Sequence, residues 1–517
     1  MRREPLPFYP LVIAALPVVS VYATNLAYVP AAQVVRPLGI AVGAAAALTA
    51  LLSLAFRNAA RGAAAAAVAF VCLFAYGWFA DRTQPFFGTY GIPPKPVWGL
   101  LTLALAGLAA WRIRQTKILN VLAAFIALIA VFNLGANLVR SSQLAQRAPR
   151  GEAGKSASVT KPDVFYMILD GHGRQDAIRR AIGYDDTPFI EGLRKRGFYV
   201  ADRSRSNYCQ TELSLASSLN MDTIPHLLPK VSPKTDDRFP LERLIDDNEV
   251  ARRFRAQGYR FVAVTSGFPP VSFPSADLQL GTRWGGTMVE STLLQMTPLV
   301  TDGTIESMFD ARRQNLVGAF DNLGSLATPT PQPRFVMVHI LAPHPPFVFT
   351  ADGSPRPRTK GPFGYQDGSD FTSLVGSPEG YLNGYAGQVA WVEGQTLKAI
   401  DGLLAGEGKG HQPIIIVQGD HGSKLHLDQD SLARTDLKEC FPNLNAYLVP
   451  GAIQKDLRPD LTPVNSFRIV LHGLFGDDLP QLPDRSWYST FPLPYAFTDV
   501  TDRVEPVTGH AAPPSPQ

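Results

Sequence analysis

Ile414-Ile415-Ile416-Val417-Gln418-Gly419-Asp420-His421-Gly422 is the stretch on which the fold turns. Four branched aliphatic residues and a glutamine read as a short strand buried on both faces, the habit of parallel sheets covered by helices. The apolar run stops abruptly at Gly-Asp-His-Gly, and in open α/β sheets ligand-binding groups collect just beyond the carboxyl ends of strands. A second stretch follows the same plan: Val164-Phe165-Tyr166-Met167-Ile168-Leu169 runs into Asp170-Gly171-His172-Gly173-Arg174. Each end presents a carboxylate beside glycines that permit a tight turn. One Asp-Gly pair alone is an ordinary helix cap or turn. Two in one domain, one with an adjacent histidine, bring together two hard oxygens and an imidazole. Asp170, Asp420 and His421 are therefore candidate ligands of one divalent metal ion, Zn²⁺ or Mn²⁺.

Further β-rich runs, Phe261–Thr265, Phe335–Ile340 and Ala446–Val449, alternate with helical or loop segments, which predicts one α/β domain over 163–503. Within it, Thr211 precedes Leu213, Ala216 and Leu219 in helical register. A threonine there is ordinarily an N-cap. The helix N-terminus also favours an alkoxide and a bound phosphate, so Thr211 is a candidate nucleophile. Phe335–Ile340 contains His339 and leads to His344 among prolines. His344 is the better candidate for a substrate phosphate or leaving group, while His339 reads equally as a core histidine. His426 is a weaker candidate, and Lys424 can pair with a phosphate oxygen.

Working outward, the chain of 517 residues has a formal charge of +4 and only 18% charged residues, below the roughly 25% usual for soluble domains. The deficit is local. Residues 1–150 hold 13 of the 48 Lys+Arg but only two of the 44 Asp+Glu, Glu4 and Asp81. The +4 is thus +11 on that segment and −7 on the rest. A nucleic-acid partner loses its electrostatic support.

Five apolar runs stand between the early basic residues, about 8–29, 37–56, 62–80, 96–111 and 118–139. A hydrocarbon core of about 30 Å needs roughly 20 helical residues, so residues 1–140 are expected to form five transmembrane helices. The loops at 57–61 and 112–117 carry two and three basic residues. The positive-inside bias then places the N-terminus in the cytoplasm and everything after Arg140 outside it. Few ionisable groups lie inside the runs, and no chain of Asp, Glu or His suggests an ion pathway. An anchor is favoured over a transporter. Residues 141–162 read as a linker and 504–517 as a flexible tail. Cys72 lies in the third run, and sequence leaves pairing of Cys209 with Cys440 open.

The ordered set Leu169-Asp170-Gly171, Thr211 with Ser214, His344 after a strand, and Gly419-Asp420-His421-Gly422 resembles the alkaline phosphatase/sulfatase superfamily. It is most similar to the membrane branch of lipoteichoic acid synthases and phosphoethanolamine transferases. The resemblance implies five transmembrane helices joined to an extracytoplasmic, periplasmic, sulfatase-like α/β catalytic domain. It implies Asp170, Asp420, His421 and Thr211 as metal ligands, Thr211 as nucleophile, and His344 and His426 at substrate. The chain departs from the pattern at Asp170, where the transferases usually have Glu, and lacks their cysteine pairs. Cys209-Gln210-Thr211-Glu212-Leu213 also lacks the Pro and Arg of the formylglycine motif, which argues against classical sulfatase chemistry.

The expected function is metal-assisted transfer of a phosphoethanolamine- or phosphoglycerol-type head group from a membrane lipid through phospho-threonine. Two alternatives differ in class: a phosphatase or phosphodiesterase with water as acceptor, and an inactive membrane-anchored scaffold. Head group, metal identity and oligomeric state are not legible.

Overall fold

The computed structural model describes residues 5–24, 32–113, 115–144, 161–281, 288–328, 330–357, 363–406 and 412–504. Most of the expected linker and nearly all of the expected tail lie outside the described residues. The chain divides into two compact units, Met1–Arg147 with Gly285–Met308, and Ala148–Trp284 with Phe309–Gln517.

The first unit contains helices α1 (Tyr9–Thr24), α2 (Ala32–Ala55), α3 (Ala59–Thr89), α4 (Pro94–Arg112) and α5 (Thr116–Leu144). Each carries one of the apolar runs. Three spans, Val34–Ala55, Ala59–Ala80 and Thr116–Ala136, are long and apolar enough to cross a membrane, and Tyr9–Ala23 is a shorter apolar helix. Leu100, Leu103, Val121, Leu128, Val131 and Phe132 point outward, a pattern that only a nonpolar solvent favours. Inside, Ala63–Ala67 are buried, because small side chains let helices approach closely. Asn58 caps α3 by accepting from the backbone N–H of Arg61. Asn120 of α5 accepts from the N–H groups of Phe8 and Tyr9 at 3.1 and 3.2 Å, partners that a free helix start lacks.

A segment far along the chain belongs to this unit. Helix Met288–Gln295 brings Leu293 into the cluster of Ala14, Val18, Val34, Ala41, Ala45 and Phe70. The N–H of Gly77 donates to the carbonyl of Met296 at 3.1 Å, and the Lys95 ammonium donates to the carbonyl of Val300.

The second unit is built on seven strands: β1 (Val164–Leu169), β2 (Tyr199–Val200), β3 (Arg260–Val264), β4 (Leu278–Leu280), β5 (Arg334–Ile340), β6 (Ile414–Gln418) and β7 (Asn445–Leu448). Their order is β2-β7-β6-β1-β5-β3-β4. β4, β3, β5, β1 and β6 run parallel, whereas β7 is antiparallel to both neighbours. Side chains alternate across the sheet. Val164, Tyr166 and Ile168 join one core with helices Thr211–Ser218, Glu249–Ala256 and Pro463–Phe475, while Phe165, Met167 and Leu169 join another with Thr187–Lys195, Asp302–Ser325 and Pro378–Gly406. Two covered faces explain why the central strands read as unbroken apolar runs. β2 and β4 have two and three residues, too few for a periodic signal.

Candidate metal and phospho-transfer site

The register of the central strands builds the site. Ile168 of β1 pairs with Gln418 of β6, so the residues two positions beyond, Asp170 and Asp420, emerge side by side at the carboxyl edge. Ile168 also pairs with His339 of β5, which sets that ring beside Asp170. The turn after β6 is packed against backbone. A Cβ on Gly419 would lie 2.1 Å from the carbonyl oxygen of His172, and one on Gly422 would lie 2.0 Å from that of Glu439. Only glycine fits at either position.

Asp170, Asp420 and His421 converge with ligand atoms within 4.8 Å of one another. His421 Nδ1 donates to the carbonyl of Gly422 at 2.8 Å. That bond places the proton on Nδ1 and leaves the Nε2 lone pair facing the carboxylates, the usual arrangement behind a metal-binding histidine. His421 Nε2 lies 3.2 Å from Asp420 Oδ2 and 3.6 Å from Asp170 Oδ1. Those same two oxygens are buried without a hydrogen-bond donor. Asp420 Oδ1 is used differently, accepting from the N–H groups of Gly171 and His421 at 2.9 and 3.1 Å.

Buried carboxylate oxygens without donors are costly, and the electrostatics show the strain. Asp170 is pushed above the carboxylate range by burial first and by Asp420 second. His421 is driven well below its ordinary value by burial and then by Lys424. A divalent cation relieves both, since it prefers ionised carboxylate and neutral imidazole. The donor set therefore fits a metal ion.

Thr211 opens helix Thr211–Ser218, and Gln210 before it gives no side-chain cap. The Thr211 hydroxyl lies 3.1 Å from His421 Nε2 and 3.5 Å from Asp170 Oδ2. It faces the cluster instead of capping its own helix. Ser214, one turn on, donates to the carbonyl of Asp420 at 2.6 Å and ties the helix to the β6 turn.

The other candidates fall into distinct positions. His339 is fully buried, with Nδ1 against the Ser266 hydroxyl at 2.8 Å and Nε2 against Asp170 Oδ2 at 3.1 Å. Burial lowers it to about 4, so the ring is neutral and sits where it can orient Asp170. His344 is buried in the loop after β5. Its N–H donates to the carbonyl of Asp170 at 3.0 Å, its Nδ1 to that of Pro345 at 2.6 Å, and its Nε2 lies 3.5 Å from Asp367. Lys424 is buried nearby, its N–H donating to the Tyr381 hydroxyl at 3.1 Å. His426 is held by Glu439 at 2.6 Å with its side chain 56% exposed. Cys72, Cys209 and Cys440 are free and buried.

Ser266, Asp367 and Glu439 escaped the sequence reading. Each supports the site through folding, and none stands in a strand-end pattern that marks it.

Neither a protein-family model nor a curated protein matches the chain. Among solved structures, it is similar to the integral membrane lipooligosaccharide phosphoethanolamine transferase A from Neisseria meningitidis, at 13% identity and TM-score 0.41 over 94% of this chain and 98% of that one. It is also similar to the C-terminal periplasmic domain of EcEptC from Escherichia coli in complex with Zn, at 13% and 0.42 over 68% and 96%. A third is the phosphonate monoester hydrolase of Agrobacterium radiobacter, at 14% and 0.39 over 63% and 80%. At these values the likeness carries no argument about chemistry, which rests on the geometry of the site.

Proposed function

We propose that the protein is a membrane-anchored, metal-dependent phospho-group transferase of the alkaline phosphatase/sulfatase superfamily. In this reading a catalytic domain outside the cytoplasm acts on the head group of a membrane lipid. The observation that carries it is the convergence of an uncapped threonine hydroxyl at a helix N-terminus with two donor-free carboxylate oxygens and a histidine nitrogen.

Asp170, Asp420, His421 and the Thr211 hydroxyl would hold one divalent ion, Zn²⁺ or Mn²⁺. When bound, it supplies Lewis acidity toward a phosphoryl oxygen and favours the ionised hydroxyl. The protein's own groups perform the remaining work. The first-turn N–H groups of helix Thr211–Ser218 favour negative charge at the Thr211 oxygen. Ser214 fixes that helix against Asp420, and His339 fixes the Asp170 carboxylate. In-line attack of the Thr211 oxygen on the lipid phosphorus forms the Thr211 O–P bond and breaks the bond to the lipid alcohol. Protonation of that alcohol falls to His344. An acceptor hydroxyl then takes the group from phospho-threonine by the reverse exchange. The apolar helices of the first unit give the domain a reason to meet bilayer substrates, because anchoring replaces diffusional encounter.

Purified full-length protein, zinc and a fluorescent phosphatidyl lipid test the proposal. Labelled acceptor identifies a transferase, whereas free head group alone identifies a phosphodiesterase on the same site. Thr211→Ala is expected to lower turnover at least about a thousandfold while leaving three metal ligands in place. Full activity in Thr211→Ala refutes the nucleophile.

A further inference from the structure

Arg312 heads the largest fully buried side chains of the described residues, and the proposed mechanism leaves it unused. It sits on helix Asp302–Ser325 with 1% of its surface exposed. Its single hydrogen bond among the described residues runs from Nη2 to the carbonyl of Leu341, in the loop that joins β5 to His344. Nε and Nη1 are buried without a partner. No carboxylate of the described residues forms an ion pair with it. Arg334, at comparable burial, shows the ordinary solution by donating from Nε to Asp163 at 2.9 Å. A buried, unpaired guanidinium costs several kcal/mol, so a fold that retains one requires an anion from elsewhere.

The surroundings say which anion. The guanidinium carbon lies 5.6 Å from the centre of the Tyr365 ring. Tyr365 in turn meets Phe268 at 5.8 Å, and Phe268 lies 6.4 Å from His339. Asp170 and His339 both lie within electrostatic reach of Arg312. Asp170 is nevertheless committed to the metal cluster. Formal charges at the site are negative on Asp170, Asp420 and Asp367 and positive on Arg312 and Lys424. With a divalent cation and the Thr211 hydroxyl still protonated these sum to one positive charge, which suits the approach of an anionic phosphodiester.

We propose that Arg312 is an anion receptor of this site, its unpartnered N–H groups taking non-bridging oxygens of the substrate phosphate. Arginine suits the role because its planar fork matches two phosphate oxygens. Arg312 is then a binding residue, and the substrate class is an anionic phosphoester whose charge is neutralised opposite the metal. The inference rests on the reading of the Thr211 cluster as a phospho-group site.

Inorganic phosphate is the probe, titrated calorimetrically into zinc-loaded full-length protein. Arg312→Met is expected to weaken phosphate binding about 10- to 100-fold while its melting temperature holds or rises, since an unpaired buried charge has been removed. Unchanged phosphate affinity overturns the proposal, as does a lower melting temperature with unchanged affinity, which marks a structural arginine. Should Arg312→Met fail to fold, the wild type decides: phosphate must raise its melting temperature, and the absence of a shift overturns the receptor. Wild-type protein that binds phosphate through Arg312 but transfers nothing removes the transferase reading alone. An active enzyme whose phosphate affinity ignores Arg312 removes the receptor alone.

Discussion

His339 is the side chain that fixes the orientation of Asp170. Its ring spans Ser266 and Asp170, occupying Asp170 Oδ2, while Oδ1 has no donor among the described residues. Supports of this kind typically carry 10–100-fold in metal affinity. His339→Ala should therefore weaken zinc binding by about that factor, and His339→Gln, which can still donate, should recover part of it. Competition with a chromogenic chelator reads both. Equal losses for Ala and Gln would show that ring packing, not the hydrogen bond, holds Asp170. The residue was visible from the start as a histidine inside an apolar strand, but its task was not. An alternating pattern says which face a side chain occupies, whereas the partner across that face comes from a strand 169 positions away in the chain.

At the scale of elements, the turn after β6 is closely packed against backbone. Gly422 passes within van der Waals range of the backbone of Glu439, and a methyl group there would meet a carbonyl oxygen at 2.0 Å. Backbone cannot yield as a flexible side chain does. Gly422→Ala should destabilise the second unit by about 1–3 kcal/mol or more and pull His421 off the cluster. Chemical denaturation and metal titration measure the two effects, and a stable Gly422→Ala that binds zinc normally would falsify the packing argument. Much at this scale was legible. β1 and β6 match their expected limits, β3 and β7 shift by one residue and β5 starts one residue earlier, because strands buried on both faces leave apolar runs. Short β2 and β4 were not legible, being held by neighbours instead of by their own composition.

The whole molecule couples charge to folding through the cluster. Without metal, the folded Asp170 carboxyl is held above the usual range by burial and by Asp420, while unfolded it titrates near about 4. A group raised in the folded state gives its full stability below the unfolded value and loses it as pH rises through the folded one. His421 and His339, both lowered by burial, contribute in the opposite direction over the same range, so the Asp170 contribution is read against Asp170→Asn: in chelator, the stability of the wild type relative to Asp170→Asn should fall as pH rises from about 5 to about 7.5. Saturating zinc should reverse that relative loss. A wild-type-minus-Asp170→Asn difference that does not change with pH contradicts the assignment of Asp170 to a strained carboxylate pair.

Composition and order alone marked a basic, apolar N-terminal segment, an acidic α/β remainder, and the candidate site residues Asp170, Thr211, His344, Asp420 and His421. These are legible because membrane spans, buried strands and strand-end turns impose local patterns on neighbouring residues. Tertiary structure alone decided the rest. It set His339 between Ser266 and Asp170, paired His426 with Glu439, grouped residues 288–308 with the helical unit, and buried Arg312 with two nitrogens unpartnered among the described residues. Each of those outcomes depends on contacts between distant parts of the chain, and local sequence carries no record of which distant groups will meet.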